Sequence, residues 1–160
     1  MDDAMKDKWI LRITSLFGAG RSPVAPGTAG TAAALVVYAL MRYLPTDAYV
    51  LVTVALMLAG VYIAGETERI TRGKDPGICV FDELIGLLIT CFGFNDKSFW
   101  LVAILGFFVF RLFDVVKIWP ATYFDQRVTG GAGVILDDVA AGIYANIALR
   151  LLFWFFALFA

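Results

Sequence analysis

The chain reads as an all-α, polytopic helical membrane protein, and three observations predict it. Hydrophobic residues make up 61% of its 160 residues and mean hydropathy is +0.81, against an apolar share of roughly 45–50% in soluble domains. The apolar residues gather in four long segments and a shorter one. Acidic residues recur at the edges of those segments, where an ionisable side chain costs roughly 2.5–3.5 kcal/mol on insertion scales and is therefore rarely idle. The length fits a single domain over 1–160, with about four to five transmembrane or re-entrant helices and an N-terminal interfacial helix.

Residues 1–17 carry Trp9, Ile10, Leu11, Ile13, Leu16 and Phe17 in a weakly amphipathic pattern that suits a helix lying on the membrane surface. They lack the clean apolar core and small-residue cleavage site of a secretory signal. Residues 18–31 are rich in Gly and Pro and read as a loop. A first apolar helix is expected over 29–44, stopped by Pro45 and short for a span of about 20 residues; it is therefore re-entrant or tilted. A second covers 48–70, where Ala59, Gly60, Ala64 and Gly65 permit close helix contact. A third is expected over 78–94, a fourth over 99–118 and a fifth from 134 to the end. Between the last two, residues 119–133 read as a loop punctuated by Pro120 and glycines. Cys79 and Cys91 lie on one expected helix, roughly 18 Å apart along its axis, too far for a disulfide, and read as packed apolar residues.

The net charge of −1 gives no argument for nucleic acid as a partner; the distribution of charge is what informs. With alternating helices, Lys6, Lys8, Arg12, Arg21, Arg69, Arg72, Lys74, Lys117 and Arg127 fall at or near one face and only Arg42 and Lys97 at the other, with Arg111 and Arg150 inside helices. That bias puts the first face in the cytoplasm. The same alternation brings Glu66, Asp82-Glu83, Asp114, Asp137-Asp138 and the loop before the first helix to that face, although they are far apart in sequence.

Six acids, Glu66, Asp82, Glu83, Asp114, Asp137 and Asp138, stand there against Arg111 and Lys117. Four uncompensated charges in a low-dielectric setting call for protons or cations. Oxygen-only ligands fit Mg²⁺, Ca²⁺ or Mn²⁺, and a chain without histidine excludes the usual His-bearing zinc sites and any Ser-His-Asp triad. The plainer alternative is that Asp82-Glu83 and Asp137-Asp138 merely cap first turns. Helix neighbours point about 100° apart, so one acid of each pair is expected to reach a metal directly. Arg111, Asp114 and Lys117 recur at intervals of three and should share a helix face, either to grip a phosphate beside a metal or as a self-neutralising ladder. The run APGTAGTAAAL at 25–35 could cradle an anion, with Thr28 as N-cap and free N–H groups beyond it; the alternative is a simple cap. Phosphoryl chemistry on such residues would be metal-assisted, with a carboxylate as base.

The runs FGAGRSPVAPGTAGT, DPGICVFDELIGLLIT and FRLFDVVKIWP, followed by GGAGVILDDVAAGIYA, resemble the phosphatidylglycerophosphatase A family, in that family's order and over most of 14–145. The resemblance implies a Mg²⁺-dependent bacterial phosphatase of the inner membrane that converts phosphatidylglycerophosphate into phosphatidylglycerol and inorganic phosphate. It implies roles for Asp75, Asp82, Glu83, Arg111, Asp114, Lys117, Asp137 and Asp138, with Thr28 and Thr31 in the loop. Ile118 departs from the proline expected there, while Trp119-Pro120 is retained. On this reading Asp82, Glu83, Asp137 and Asp138, with Glu66, hold Mg²⁺ directly or through water, and Asp114 is a further ligand or the base. Arg111, Lys117, Gly27, Thr28, Thr31 and Asp75 serve the phosphate.

Two other classes compete. A cation-coupled transporter also needs intramembrane carboxylates, but the second and fourth apolar segments lack polar residues at mid-span. A phosphatidyl-transferring synthase would follow its acids with a different pattern from the VAAGIY found after Asp138. Ala140, Ala141, Gly142 and Ala145 permit tight packing within one chain or in a homo-oligomer.

Overall fold

A computed structural model describes residues 3–158. Its helices are α1 (Asp3–Thr14), α2 (Pro26–Met41), α3 (Thr46–Thr71), α4 (Phe81–Thr90), α5 (Phe99–Val116), α6 (Ala121–Arg127) and α7 (Gly131–Ala157). An irregular helical segment, Leu16–Arg21, follows α1, with Leu16 and Phe17 in left-handed conformation. No strand occurs among the described residues. The helical membrane class is as expected: α3, α5 and α7 are long and apolar enough to cross a membrane, and α2 is a shorter apolar helix.

The largest departure is α4, which spans 10 residues where the pattern suggested 17 from 78 to 94. At about 1.5 Å per residue it covers ~15 Å, half a bilayer core of ~30 Å. Apolar composition cannot reveal this, because the chain on either side of the helix is apolar as well. Every α4 residue except Ile89 is buried, so α4 is a half-helix enclosed by the bundle. α7 packs against α3, α4, α5 and α6, and α2 packs against α4.

A half-helix ending inside a bundle leaves carbonyls without intrahelical partners. Here they are met by neighbouring side chains. The Asn146 amide of α7 donates to the carbonyls of Ile89 (3.1 Å), Thr90 (2.9 Å) and Phe92 (2.9 Å). Arg150 donates to Phe92 O (3.1 Å), and the Tyr49 hydroxyl to Leu88 O (2.7 Å). At the same end Arg42 donates to Lys97 O (3.1 Å), tying the end of α2 to the loop before α5.

The small residues of α7 are used within the chain. Ala140, Ala141, Gly142 and Ala145 are buried, and a Cβ on Gly142 would meet Gly86 Cα of α4 at 3.1 Å. Cys79 and Cys91 are buried and free, as expected, although both lie just outside α4. The loop expected over 119–133 contains α6, which packs on α7.

Candidate active site

The C-terminal ends of α3 and α5 meet the N-terminal ends of α2, α4 and α7 at one end of the bundle. A cavity of about 360 Å³ opens there, lined from α2 by Pro26 and Gly27, from the loop before α4 by Asp75, Gly77 and Cys79, and from α4 by Asp82 and Glu83. Arg111, Asp114 and Lys117 line it from α5 and its end, and Asp137 and Asp138 from α7. Nearly every acid picked from the sequence is therefore present. Six carboxyls face two cations, an imbalance of four that burial makes costly.

Asp82, Glu83 and Asp138 converge, each offering a carboxylate oxygen within 4.8 Å of the others, and all three are buried. Glu83 Oε2 is buried without a hydrogen-bond partner. Both acids of the first pair thus reach the centre, contrary to the expectation of one from each. Asp82 Oδ1 accepts the Glu83 N–H at 3.0 Å, which folds its carboxylate back toward its neighbour. From the second pair only Asp138 arrives. Asp137 Oδ1 accepts the Asp138 N–H (2.9 Å) and its Oδ2 takes Lys117 at 2.5 Å.

Capping does not account for the second pair. α7 begins at Gly131, so Asp137 and Asp138 are its seventh and eighth residues, beyond the first turn where the helix dipole acts. Asp82-Glu83 do lie in the first turn of α4.

Arg111 pairs with Asp114 at 2.5 Å on the shared face expected from their spacing, and reaches Glu83 at 3.6 Å. Lys117 leaves that face. It sits at the end of α5 with φ 45°, and its ammonium bridges Asp137 and Asp125 (3.1 Å). Burial alone would lower the Lys117 pKa, but Asp137 and Asp125 outweigh it and hold the ammonium charged. Asp125 and Asp137 are the partners that the sequence did not suggest for Lys117. An acid in the loop eight residues beyond a half-buried cation is the signal that could have pointed to Asp125. Asp75 is exposed, yet partial desolvation at the cavity edge shifts its carboxyl upward from its ordinary value, against the opposing pull of Lys117.

Three expected residues lie elsewhere. Glu66 is bound by Lys6 (3.1 Å) and Arg69 (3.3 Å) in a separate cluster between α1 and α3, so it is no partner of the converging acids. Thr28 is not a cap. α2 starts earlier, with Ala25 in left-handed conformation at the cap position and Pro26 as first residue, leaving Thr28 exposed in the first turn. Thr31 is buried and donates back to Gly27 O at 2.9 Å, so its hydroxyl does not face the cavity. Gly27 does: a Cβ there would collide with the Glu83 carboxylate and lie 2.9 Å from Arg111 Nη1. The first N–H groups of α2 have no intrahelical acceptor and stand at the cavity rim.

Cys79 lines the cavity, but burial first and the charge of Asp82 second push its thiol up to about 12. A thiolate nucleophile is therefore not provided.

Residues 12–153 match the family model described as Phosphatidylglycerophosphatase A. The chain belongs to the phosphatidylglycerophosphatase A family. It is 39% identical over 140 residues to the phosphatidylglycerophosphatase A of Escherichia coli K12, covering 87% of this chain and 80% of that protein. It is 34% identical to the Haemophilus influenzae Rd phosphatidylglycerophosphatase A, covering 83% and 82%. A Bacteroides thetaiotaomicron protein, a candidate phosphatidylinositol-3-phosphatase, is 39% identical over 145 residues, covering 86% and 89%. No solved structure matches the chain. Membership makes this chain a phosphatase of the membrane and gives the transport alternative no support.

Proposed function

We propose that this chain hydrolyses the terminal phosphomonoester of phosphatidylglycerophosphate, giving phosphatidylglycerol and inorganic phosphate, with Mg²⁺ as cofactor. The observation that carries the metal reading is the convergence of Asp82, Glu83 and Asp138 with an unpartnered Glu83 Oε2. Three buried oxygen donors without histidine or thiolate suit a hard cation. A divalent cation held there would offset the carboxylate charge and draw electrons from a phosphoryl oxygen.

The chain's own residues supply the rest. Arg111, held by Asp114, directs its remaining N–H groups at phosphoryl oxygens and offsets charge that grows as the bond to the leaving oxygen breaks. The absence of a side chain at Gly27 leaves room for the phosphate beside Arg111, and the first free N–H groups of α2 favour its charge. Water attacks phosphorus as the bond to the glycerol oxygen breaks; a carboxylate of the cluster takes the proton that water releases and passes it to the departing glycerol oxygen, which leaves as a hydroxyl. Lys117 pairs with Asp137 at 2.5 Å and offsets its charge beside the cluster. Because the cavity lies at an end of the bundle, the acyl chains of the lipid can stay in the bilayer while its terminal phosphate enters.

The site faces the cytoplasm of the bacterial inner membrane on this reading. Lys6, Arg69, Lys74 and Lys117 lie toward the cavity end, whereas Arg42, Lys97 and Arg150 lie at the other. The test is phosphate release by the purified protein in detergent. Phosphatidylglycerophosphate should be hydrolysed with Mg²⁺, EDTA should abolish release, and Asp82→Asn should lower it by about 10²-fold or more. Wild-type hydrolysis in EDTA would overturn the metal assignment, and activity confined to another phosphomonoester lipid would overturn the substrate.

A further inference from the structure

The face of α1 turned away from the bundle carries a feature that the phosphatase reading does not use. Lys6 and Asp7 point inward and are consumed by α3: Lys6 binds Glu66 at 3.1 Å, and Asp7 takes Arg69 at 2.7 Å. This pairing removes the carboxylate of Asp7 from the outer face. What remains there is Lys8 and Arg12, one turn apart, joined by Arg21 from the segment after α1. None of these three has a carboxylate partner among the described residues.

Between them lies a cavity of about 500 Å³ whose other walls are Met5, Trp9 and Leu11. Trp9 is 47% exposed, and the Arg12 guanidinium lies 5.7 Å from its ring. Phe17 and Val24, nearby in the chain, are 78% and 77% exposed. Unpaired cations beside exposed aromatic and aliphatic side chains are what a membrane interface rewards: the rings enter the headgroup boundary while the cations meet lipid phosphates.

We propose that Lys8, Arg12 and Arg21 form a binding site for the phosphodiester headgroup of an anionic phospholipid, with Trp9 and Met5 against its glycerol and upper acyl region. The site is distinct from the acidic cavity. Lys8 and Trp9 also precede the region shared with the family model, which begins at residue 12. Charge selects the occupant, since a zwitterionic headgroup would leave three cations to be offset by a single phosphate that carries its own ammonium.

The site is mechanically joined to the acids. Thr14 at the end of α1 donates its hydroxyl to Cys79 Sγ (3.1 Å), and its carbonyl accepts the Val80 N–H (3.0 Å). Gly20 packs so closely on Ile78 and Val80 that a Cβ would lie 3.1 Å from Val80 Cγ2. A lipid that fixes α1 and the following segment therefore also steadies the strand of chain leading into Asp82.

The experiment uses the full chain in nanodiscs. Trp100, Trp119 and Trp154 are exposed, so Trp100→Phe, Trp119→Phe and Trp154→Phe together leave Trp9 as reporter with little disturbance. Its quenching is compared for brominated phosphatidylserine and brominated phosphatidylcholine, each at the same mole fraction in unlabelled phosphatidylcholine. Each cation at an anionic surface is worth about a fivefold preference, so the serine lipid should be enriched at Trp9 by at least that factor. Lys8→Glu, Arg12→Glu and Arg21→Glu together should remove the preference, whereas Arg111→Ala should leave it intact. Equal quenching by the two lipids overturns the proposal, as does loss of the preference in Arg111→Ala, which would place the lipid in the acidic cavity instead. A protein kept monodisperse by all variants, checked by size-exclusion chromatography, separates loss of the site from loss of fold.

Discussion

Gly142→Ala should cripple the enzyme without touching a polar residue. The methyl group would lie 2.5 Å from the Gly86 carbonyl oxygen, 3.1 Å from Gly86 Cα and 3.2 Å from its carbonyl carbon. All three are backbone atoms, so no side chain can swing aside. Restoring ordinary carbon contacts of about 3.5–4.0 Å moves α4 from α7 by ~0.5–1 Å. Overpacking of this size costs about 1–3 kcal/mol of stability, but the larger effect should be on the site. α4 carries Asp82 and Glu83, α7 carries Asp138, and the three oxygens lie within 4.8 Å of one another. The Mg²⁺ proposed for this site demands near-octahedral oxygens at about 2.0–2.1 Å, and a misplacement of ~1 Å can cost about 10²-fold in rate. Phosphate release measured against Mg²⁺ concentration should show kcat lowered by about 10²-fold and the Mg²⁺ midpoint raised. Gly73→Ala, where a Cβ would meet nothing within 4 Å, is the control and should behave as wild type. A Gly142→Ala protein with wild-type kcat and an unchanged Mg²⁺ midpoint would refute the link between helix contact and site geometry.

Two further outcomes follow from the same half-helix. Asn146→Ala strips the amide from the carbonyls of Ile89, Thr90 and Phe92. Ile89 O keeps the Phe92 N–H and Phe92 O keeps Arg150, so Thr90 O is the acceptor left orphaned, at a cost of about 1–3 kcal/mol, and Tm in detergent should fall. Asn146→Asp should not rescue it, because a carboxylate brings no N–H donor, and an unchanged Tm in either variant would show that α4 needs no cap. At neutral pH, N-ethylmaleimide should leave hydrolysis intact, since Cys79 and Cys91 are buried and burial keeps the Cys79 thiol protonated; rapid inactivation would revive a thiol mechanism.

Much of this molecule was legible in its sequence. Apolar runs of span length can only be hidden in lipid or in each other, so the helical membrane class followed from composition. Helix alternation then required the acids of α4, α5 and α7 to meet at one end, whatever their packing. Motif order carried the family. What the sequence could not give was set by side-chain direction and by where helices begin and end. Glu66 is at the right depth but turns to Lys6 and Arg69 of its own neighbourhood. Thr31 bonds back to its own helix. Lys117 departs from the Arg111–Asp114 face because a left-handed residue ends α5 one position too early for the interval of three to continue. Spacing assumes an unbroken helix, and here the break decides the partner. The convergence of Asp82, Glu83 and Asp138 depends on α4 stopping after 10 residues and lying against Gly142. Hydropathy is nearly blind to both facts, since glycine contacts and buried helix ends are set by the neighbours that the fold supplies.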